Sequence, residues 1–230
     1  MRLNIFTTGD FKEGNGANSR FRALAKGFMY LGLEVKFYFL LPSEFNDNNV
    51  NRIPKGFYEG VEYEYLSGTI ARPRKRFKRF QHLLKSRDKA REILLNMNPK
   101  NDWVYFYSPN PLFVKSLMKE SKKLNLFTIT EVVEKNSSLH EYGEPWYYFL
   151  LRFYYRQFEK SLHHLTDALL VISLRLQKYY EPAFGNRIKR FPIIFDPERF
   201  ADVDSVKVDI YRIGYIGSFG KKDGVTGILD

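Results

Sequence analysis

The sequence predicts an α/β fold, a parallel sheet with helices on both faces, and two observations carry that prediction. Apolar strand-like runs alternate with stretches of helical periodicity along most of the chain, joined by short turns. The first strand runs straight into a glycine-containing turn that opens a helix, "GDFKEGNGANSRFRALAKGF" over 9–28, the arrangement in which parallel sheets receive anionic ligands beyond the carboxyl ends of their strands.

Taken in order, strand patterns fall at 2–8, 33–41, 61–66, 103–107, 126–133, 168–172 and 188–195. The first helix is expected from Ser19 to Leu31, with Phe21, Leu24, Phe28 and Leu31 on one face and Gly32 as its stop. A second is expected to start near Pro73, where Phe77, Phe80 and Leu84 share one arc. A third runs from Pro111 to Leu124, turning Leu112, Leu117 and Met118 inward. A long aromatic helix occupies Pro145 to Leu165. After Phe195 the stretch "DPERFADVDSVKVD" is charged and weakly periodic, whereas "IYRIGYIGSFGKKDGVTGILD" restarts a strand, a glycine turn and a helix onset. The organisation expected is therefore a Rossmann-like domain over 1–196, a linker over 197–209 and the start of a second, incomplete domain over 210–230.

Composition narrows the chemistry. The 230 residues are 44% hydrophobic and 17% aromatic, enough for a substantial core and unlike a disordered chain. The absence of cysteine excludes disulfides, thiolate nucleophiles and Cys-ligated zinc. His163 and His164 have no second ligand cluster at metal spacing, so no metal is expected. With neither a signal peptide nor an apolar run long enough to span a bilayer, the reading is a cytosolic protein.

The formal charge of +11 points to anionic company. Most of it lies in "RPRKRFKRFQHLLKSRDKAR", residues 72–91, where ten basic residues meet one acid, Asp88. Two readings compete: an apolar stripe packed on the sheet with a solvated charged back, or a helix attached to an anionic membrane surface through Arg74, Lys75, Lys78 and Arg79. Nucleic acid ranks third, since no readout motif accompanies the run.

The glycine turn fits neither of the familiar phosphate cradles. Gly14-Asn15-Gly16-Ala17-Asn18-Ser19 lacks the third glycine of the dinucleotide fingerprint, and the second strand ends in Leu40-Leu41-Pro42 without an acid for a ribose. Nor does "GSFGKK" over 217–222 have the P-loop spacing. What remains is a helix-opening turn whose backbone N–H groups can face a phosphate or sugar, with Gly14, Gly16, Asn18 and Arg20 as candidate acceptor or phosphate ligands. A turn that needs glycine only for its backbone angles is the competing reading.

Several stretches together resemble the family 4 glycosyltransferases, retaining enzymes of two facing Rossmann domains, the GT-B fold. They are the opening strand and turn, the "R-x-x-x-L-x-x-x-x-x-x-L-G-x-E-V" run from Arg20 to Val35, "FEKSLHHLTDALLVISLRLQKYY" from Phe158 to Tyr180, "RFPIIFDPERF" from Arg190 to Phe200, and "IGYIGSFGKKDGV" from Ile213 to Val225. The resemblance implies sugar transfer from a nucleotide-sugar to a glycan or lipid-linked acceptor, in surface polysaccharide or glycolipid synthesis, with no cofactor beyond the nucleotide-sugar co-substrate. It implies that the donor diphosphate meets Gly217, Ser218, Lys221 and Lys222. The family's usual Lys-Gly is here Asp223-Gly224, and its later pair of donor-gripping acids has no counterpart in the 230 residues, which alone are expected to be inactive. Retaining transfer needs a positioned acceptor hydroxyl and a hydrogen bond to the sugar more than a strong base. Glu131 and Glu134, flanking the end of the strand at 126–133, and His140 downstream of it are the candidates for those roles, with a solvated charged loop as the competing reading. A noncatalytic acceptor-binding remnant and a basic nucleic-acid-binding protein are the alternatives.

Overall fold

The computed structural model describes residues 1–9, 11, 16–42, 53–107, 110–135 and 148–192. Backbone contacts group the chain into two units, Met1–Asp196 and Pro197–Asp230. The second unit, and with it the expected linker and donor-domain start, lies outside the described residues.

Within the first unit the chain runs β1 (Arg2–Thr7), α1 (Gly16–Tyr30), β2 (Glu34–Phe39), β3 (Lys55–Tyr58), β4 (Val61–Tyr65), α2 (Arg76–Leu95), β5 (Asp102–Tyr107), α3 (Pro111–Lys123), β6 (Phe127–Val132), α4 (Tyr148–Leu165), β7 (Ala168–Val171), α5 (Leu174–Phe184) and β8 (Ile188–Arg190). The strands form one sheet in the order β3-β4-β2-β1-β5-β6-β7-β8. Every pairing is parallel except that of the β3 edge strand with β4. The chain moves outward from β1 through β2 to β4, then crosses back to β5 on the other flank. Such a doubly wound sheet has its switch point between β1 and β5, where ligand crevices form.

Side-chain alternation along the strands divides the core into two layers. Leu3, Ile5, Phe37, Phe39, Tyr105 and Tyr107 meet Phe21, Leu24 and Ala25 of α1 on one face. Phe6, Tyr38, Val104 and Phe106 on the other face pack against α2, α3, α4 and α5 through Leu94, Leu117, Leu162 and Tyr180. Among the described residues, helices thus cover both faces, one on the first and four on the second.

Local chemistry sets the helix ends. Asn110 caps α3 by accepting a hydrogen bond from the Leu112 amide at 3.0 Å, Pro111 starts the helix, and Lys122 and Lys123 close it at the carbonyl-rich end. Gly32, at φ 80°, lets the chain turn out of α1 into β2.

Two expected faces differ in the structure. Leu31 lies beyond the end of α1 and is 73% exposed, and Leu112, at the start of α3, is 57% exposed; the buried stripe of α3 runs through Val114, Leu117, Met118 and Ser121 instead. The largest departure is in α2. Its buried residues are Ser86, Ala90 and Leu94, whereas Phe77 and Phe80 are 71% and 55% exposed, so of the predicted arc only Leu84 is even half-buried. The helix begins at Arg76, three residues after Pro73, and every residue from Arg74 to Gln81 is exposed.

Candidate functional site

Glu131 and Glu134 sit three residues apart at the carboxyl end of β6, and the sheet separates them. Glu131 is still in the strand, opposite Tyr107 of β5 and Leu170 of β7. Its side chain falls on the α1 face and is completely buried. Arg20, in the first turns of α1 and 4% exposed, reaches it through Nε at 2.6 Å and through its terminal nitrogen at 2.5 Å. The Tyr105 hydroxyl donates to the other carboxylate oxygen. Burial pushes the Glu131 carboxyl up from its ordinary range, while the bond from Tyr105 and the Arg20 charge pull it back. The same burial, reinforced by the carboxylate, raises the Tyr105 hydroxyl far above its ordinary value, so it remains a donor.

Arg20 also donates to the Pro192 carbonyl at 2.6 Å and the Phe191 carbonyl at 2.9 Å, and its guanidinium lies 5.3 Å from the centre of the Phe191 ring. One side chain therefore ties α1, β6 and the segment after β8 together. A fork of N–H groups suits this task, and a lysine ammonium would not reproduce it.

Beyond the strand end the environment changes. Glu134 is exposed and lines a cavity of about 610 Å³ together with Val133 and Lys135. The opposite wall is the start of α5: Ser173, Arg175, Leu176, Lys178 and Tyr179. Ser173 caps this helix by accepting from the Leu176 amide at 3.3 Å, which fixes the wall against β7. The Lys135 ammonium sits 3.8 Å from the centre of the Tyr179 ring, a cation held on an aromatic face. Three cations and one carboxylate line a cavity whose volume falls within the range of small-ligand pockets, roughly 300–1,000 Å³. Its exposed walls are mostly apolar, with these charged groups set among Val133, Leu176 and Tyr179.

The sequence candidates distribute as follows. Arg20 and Glu131, read separately as ligand-facing groups, are brought together as a buried ion pair. Gly16 is the first residue of α1 and Asn18 lies in its first turn. Gly14, His140, Gly217, Ser218, Lys221 and Lys222 lie outside the described residues. Arg74 and Lys75 precede α2, Lys78 and Arg79 lie on it, and Arg79 Nε donates to the Pro73 carbonyl at 2.6 Å. The tilted rings of His163 and His164 have centres 3.7 Å apart, and no metal-binding group of acids and histidines occurs among the described residues.

Tyr105, Lys135, Arg175, Lys178 and Tyr179 were not singled out from the sequence. The signal for the last three was present: in "SLRLQKYY" the basic and aromatic residues recur at helical spacing directly after a serine that can cap.

No protein-family model matches the chain, and no curated protein matches it in sequence. Solved structures do resemble it. The catalytic domain of starch synthase IV from Arabidopsis thaliana, bound to ADP and acarbose, superposes with a TM-score of 0.53 at 11% identity over 86% of this chain and 52% of that one. A sucrose-phosphate synthase from Thermosynechococcus elongatus gives 0.49 at 13% identity, covering 84% and 88% of the two chains. An α-glucosyltransferase in complex with UDP-glucose and DNA containing an abasic site gives 0.44 at 15% identity, covering 88% and 45%. The chain thus spans about half the length of the starch synthase domain. The likeness to the starch synthase domain is one of fold, an α/β Rossmann-like sheet covered by helices.

Proposed function

We propose that this chain is the acceptor-side domain of a retaining, family 4-type glycosyltransferase that moves a sugar from a nucleotide-sugar to a glycan or lipid-linked acceptor in surface polysaccharide or glycolipid synthesis. The observation that carries the reading is the basic cavity at the carboxyl ends of β6 and β7, in a fold shared with a starch synthase. Lys135, Arg175 and Lys178 hold an anionic part of the acceptor, and Glu134 and His140 offer hydrogen bonds to its attacking hydroxyl. Glu131, sealed against Arg20 and Tyr105, acts as a positioning residue that holds β6 and the residues following it. Gly14, Gly16 and Asn18 face a phosphate or sugar from the start of α1. Gly217, Ser218, Lys221 and Lys222 receive the donor diphosphate. The nucleotide-sugar is a co-substrate, and no cofactor or metal takes part. The protein works at the periphery of the cytoplasmic membrane face, a reading supported by the basic Arg74, Lys75, Lys78 and Arg79 at the start of α2.

Calorimetry with neutral and acidic oligosaccharides tests the assignment of the cavity. Acidic saccharides are expected to bind the chain, and Arg175→Ala to weaken them by about tenfold, the loss of one charge-assisted hydrogen bond. Micromolar binding of UDP or GDP that Arg175→Ala weakens equally would make the cavity a donor site and overturn the acceptor-side reading.

A further inference from the structure

The helices on the four-helix face differ in length from the strands that they cover. A six-residue strand such as β5 or β6 spans about 20 Å. Helix α3, of 13 residues, matches it at roughly 20 Å. By contrast α2, of 20 residues, and α4, of 18, run about 30 Å and 27 Å. Each of these helices ends a few residues before the amino end of a strand, α2 before β5 and α4 before β7, so the surplus length lies at its start, beyond the carboxyl edge of the sheet.

Burial follows this geometry. In α2 the first buried residue is Ser86, ten residues after the start, and in α4 it is Phe158, again ten residues in. Both helix starts carry exposed apolar side chains: Phe77 and Phe80 on α2, and Phe149, Leu150 and Phe153 on α4, each between 55% and 71% exposed. No acidic residue occurs over 72–87 or over 148–158, whereas both segments carry arginine. Large exposed apolar side chains beside arginines and lysines are costly in water and match the interface of an anionic bilayer, which takes up both. Aliphatic Leu150 offers no base-stacking surface, which favours lipid over single-stranded nucleic acid.

We infer that the carboxyl edge of the sheet faces an anionic membrane, with the starts of α2 and α4 as two separate insertion points. No helix among the described residues is long and apolar enough to cross a membrane, so the contact is interfacial. The cavity beside Glu134 opens from the same edge. Resting on the acceptor-side reading above, this makes the acceptor a lipid-linked saccharide that is presented at the bilayer surface.

The absence of cysteine allows single-cysteine labelling with a polarity-sensitive fluorophore. Phe80→Cys and Phe153→Cys report the two helix starts, and Leu95→Cys, at the far end of α2 and 54% exposed, reports the opposite edge. With vesicles of phosphatidylglycerol and phosphatidylcholine, both helix-start labels are expected to shift to the blue and the Leu95 label to stay unchanged. Sedimentation of unlabelled protein should fall about tenfold for Phe77→Ser/Phe80→Ser and for Phe149→Ser/Phe153→Ser, and part of the parent's binding should survive 1 M salt, where screening confines charge attraction to about 3 Å. A silent Phe153 label beside a shifting Phe80 label would leave the basic helix as the membrane contact but overturn the two-point orientation. Absence of parent binding to these vesicles, or their displacement by duplex DNA, would overturn both. Failure of saccharide binding in the calorimetry above would remove the glycosyltransferase reading while leaving the membrane orientation intact.

Discussion

Glu131 and Glu134 are separated by two residues and live in different media. The first is sealed under α1 with both oxygens bonded, and the second stands exposed at the mouth of a basic cavity. Their chemistry as free side chains is the same. What separates them is the last residue of β6: up to Val132 the sheet dictates which face a side chain takes, and past it the backbone is free to turn toward α5. A carboxylate inside the strand end serves to hold the scaffold, and one outside it can meet a ligand.

The sharpest way to break this contrast is Glu131→Ala. It strands Arg20, which is 4% exposed, without its counter-ion, and should cost about 3–5 kcal/mol in urea unfolding. A loss below 1 kcal/mol would mean that Arg20 finds water or another partner. Next in size, Tyr105→Phe removes one hydrogen bond to a buried carboxylate and should cost about 1.5–3 kcal/mol while leaving the fold intact by circular dichroism.

The third test uses pH. Because the folded state keeps the Glu131 proton above the range in which the unfolded chain releases it, the folded state binds more protons between the two values. Stability contributed by this group should therefore decline as pH rises from the ordinary carboxylate range through the raised value, and Glu131→Gln should flatten that slope in denaturation curves collected across it. The smallest effect on folding belongs to Glu134→Gln, which should change stability by less than about 0.5 kcal/mol. Its consequence should appear in the calorimetric binding of acidic saccharides, and a Glu134→Gln variant that destabilises the fold as Glu131→Ala does would erase the distinction between the two carboxylates.

Much of the sheet was legible in the sequence because β1, β2, β5 and β6 are long apolar runs between clear turn signals. The β3 edge was not: Lys55–Tyr58 is four residues with a glycine, and its pairing depends on β4 already being in place. Helix α5 was also missed, since Pro182 breaks its pattern near the end and its apolar residues Leu176, Tyr180 and Phe184 continue from a strand without a glycine between. In α2 the periodicity was read correctly and its consequence was not. An arc of Phe77, Phe80 and Leu84 says that a helix has an apolar face, but whether the sheet extends far enough to meet it depends on the length of the strands beside it. The site was legible by position more than by role. Glu131 and Glu134 mark the strand end, yet the partnership of Arg20 with Glu131 spans 111 residues and no local pattern announces it.

The central place of β1 also affects how the protein is made. One edge of β1 pairs with β2 within the first 40 residues, but the other pairs with β5, whose first partner, Asp102, lies 100 positions beyond Arg2. On a ribosome that adds about 5–20 residues per second, the apolar strand Leu3–Phe6 spends several seconds with one edge unfilled. The nascent chain therefore carries an open β-edge at its hydrophobic centre until β5, about 100 residues later, has been synthesised, and that interval is when chaperones matter most to its yield.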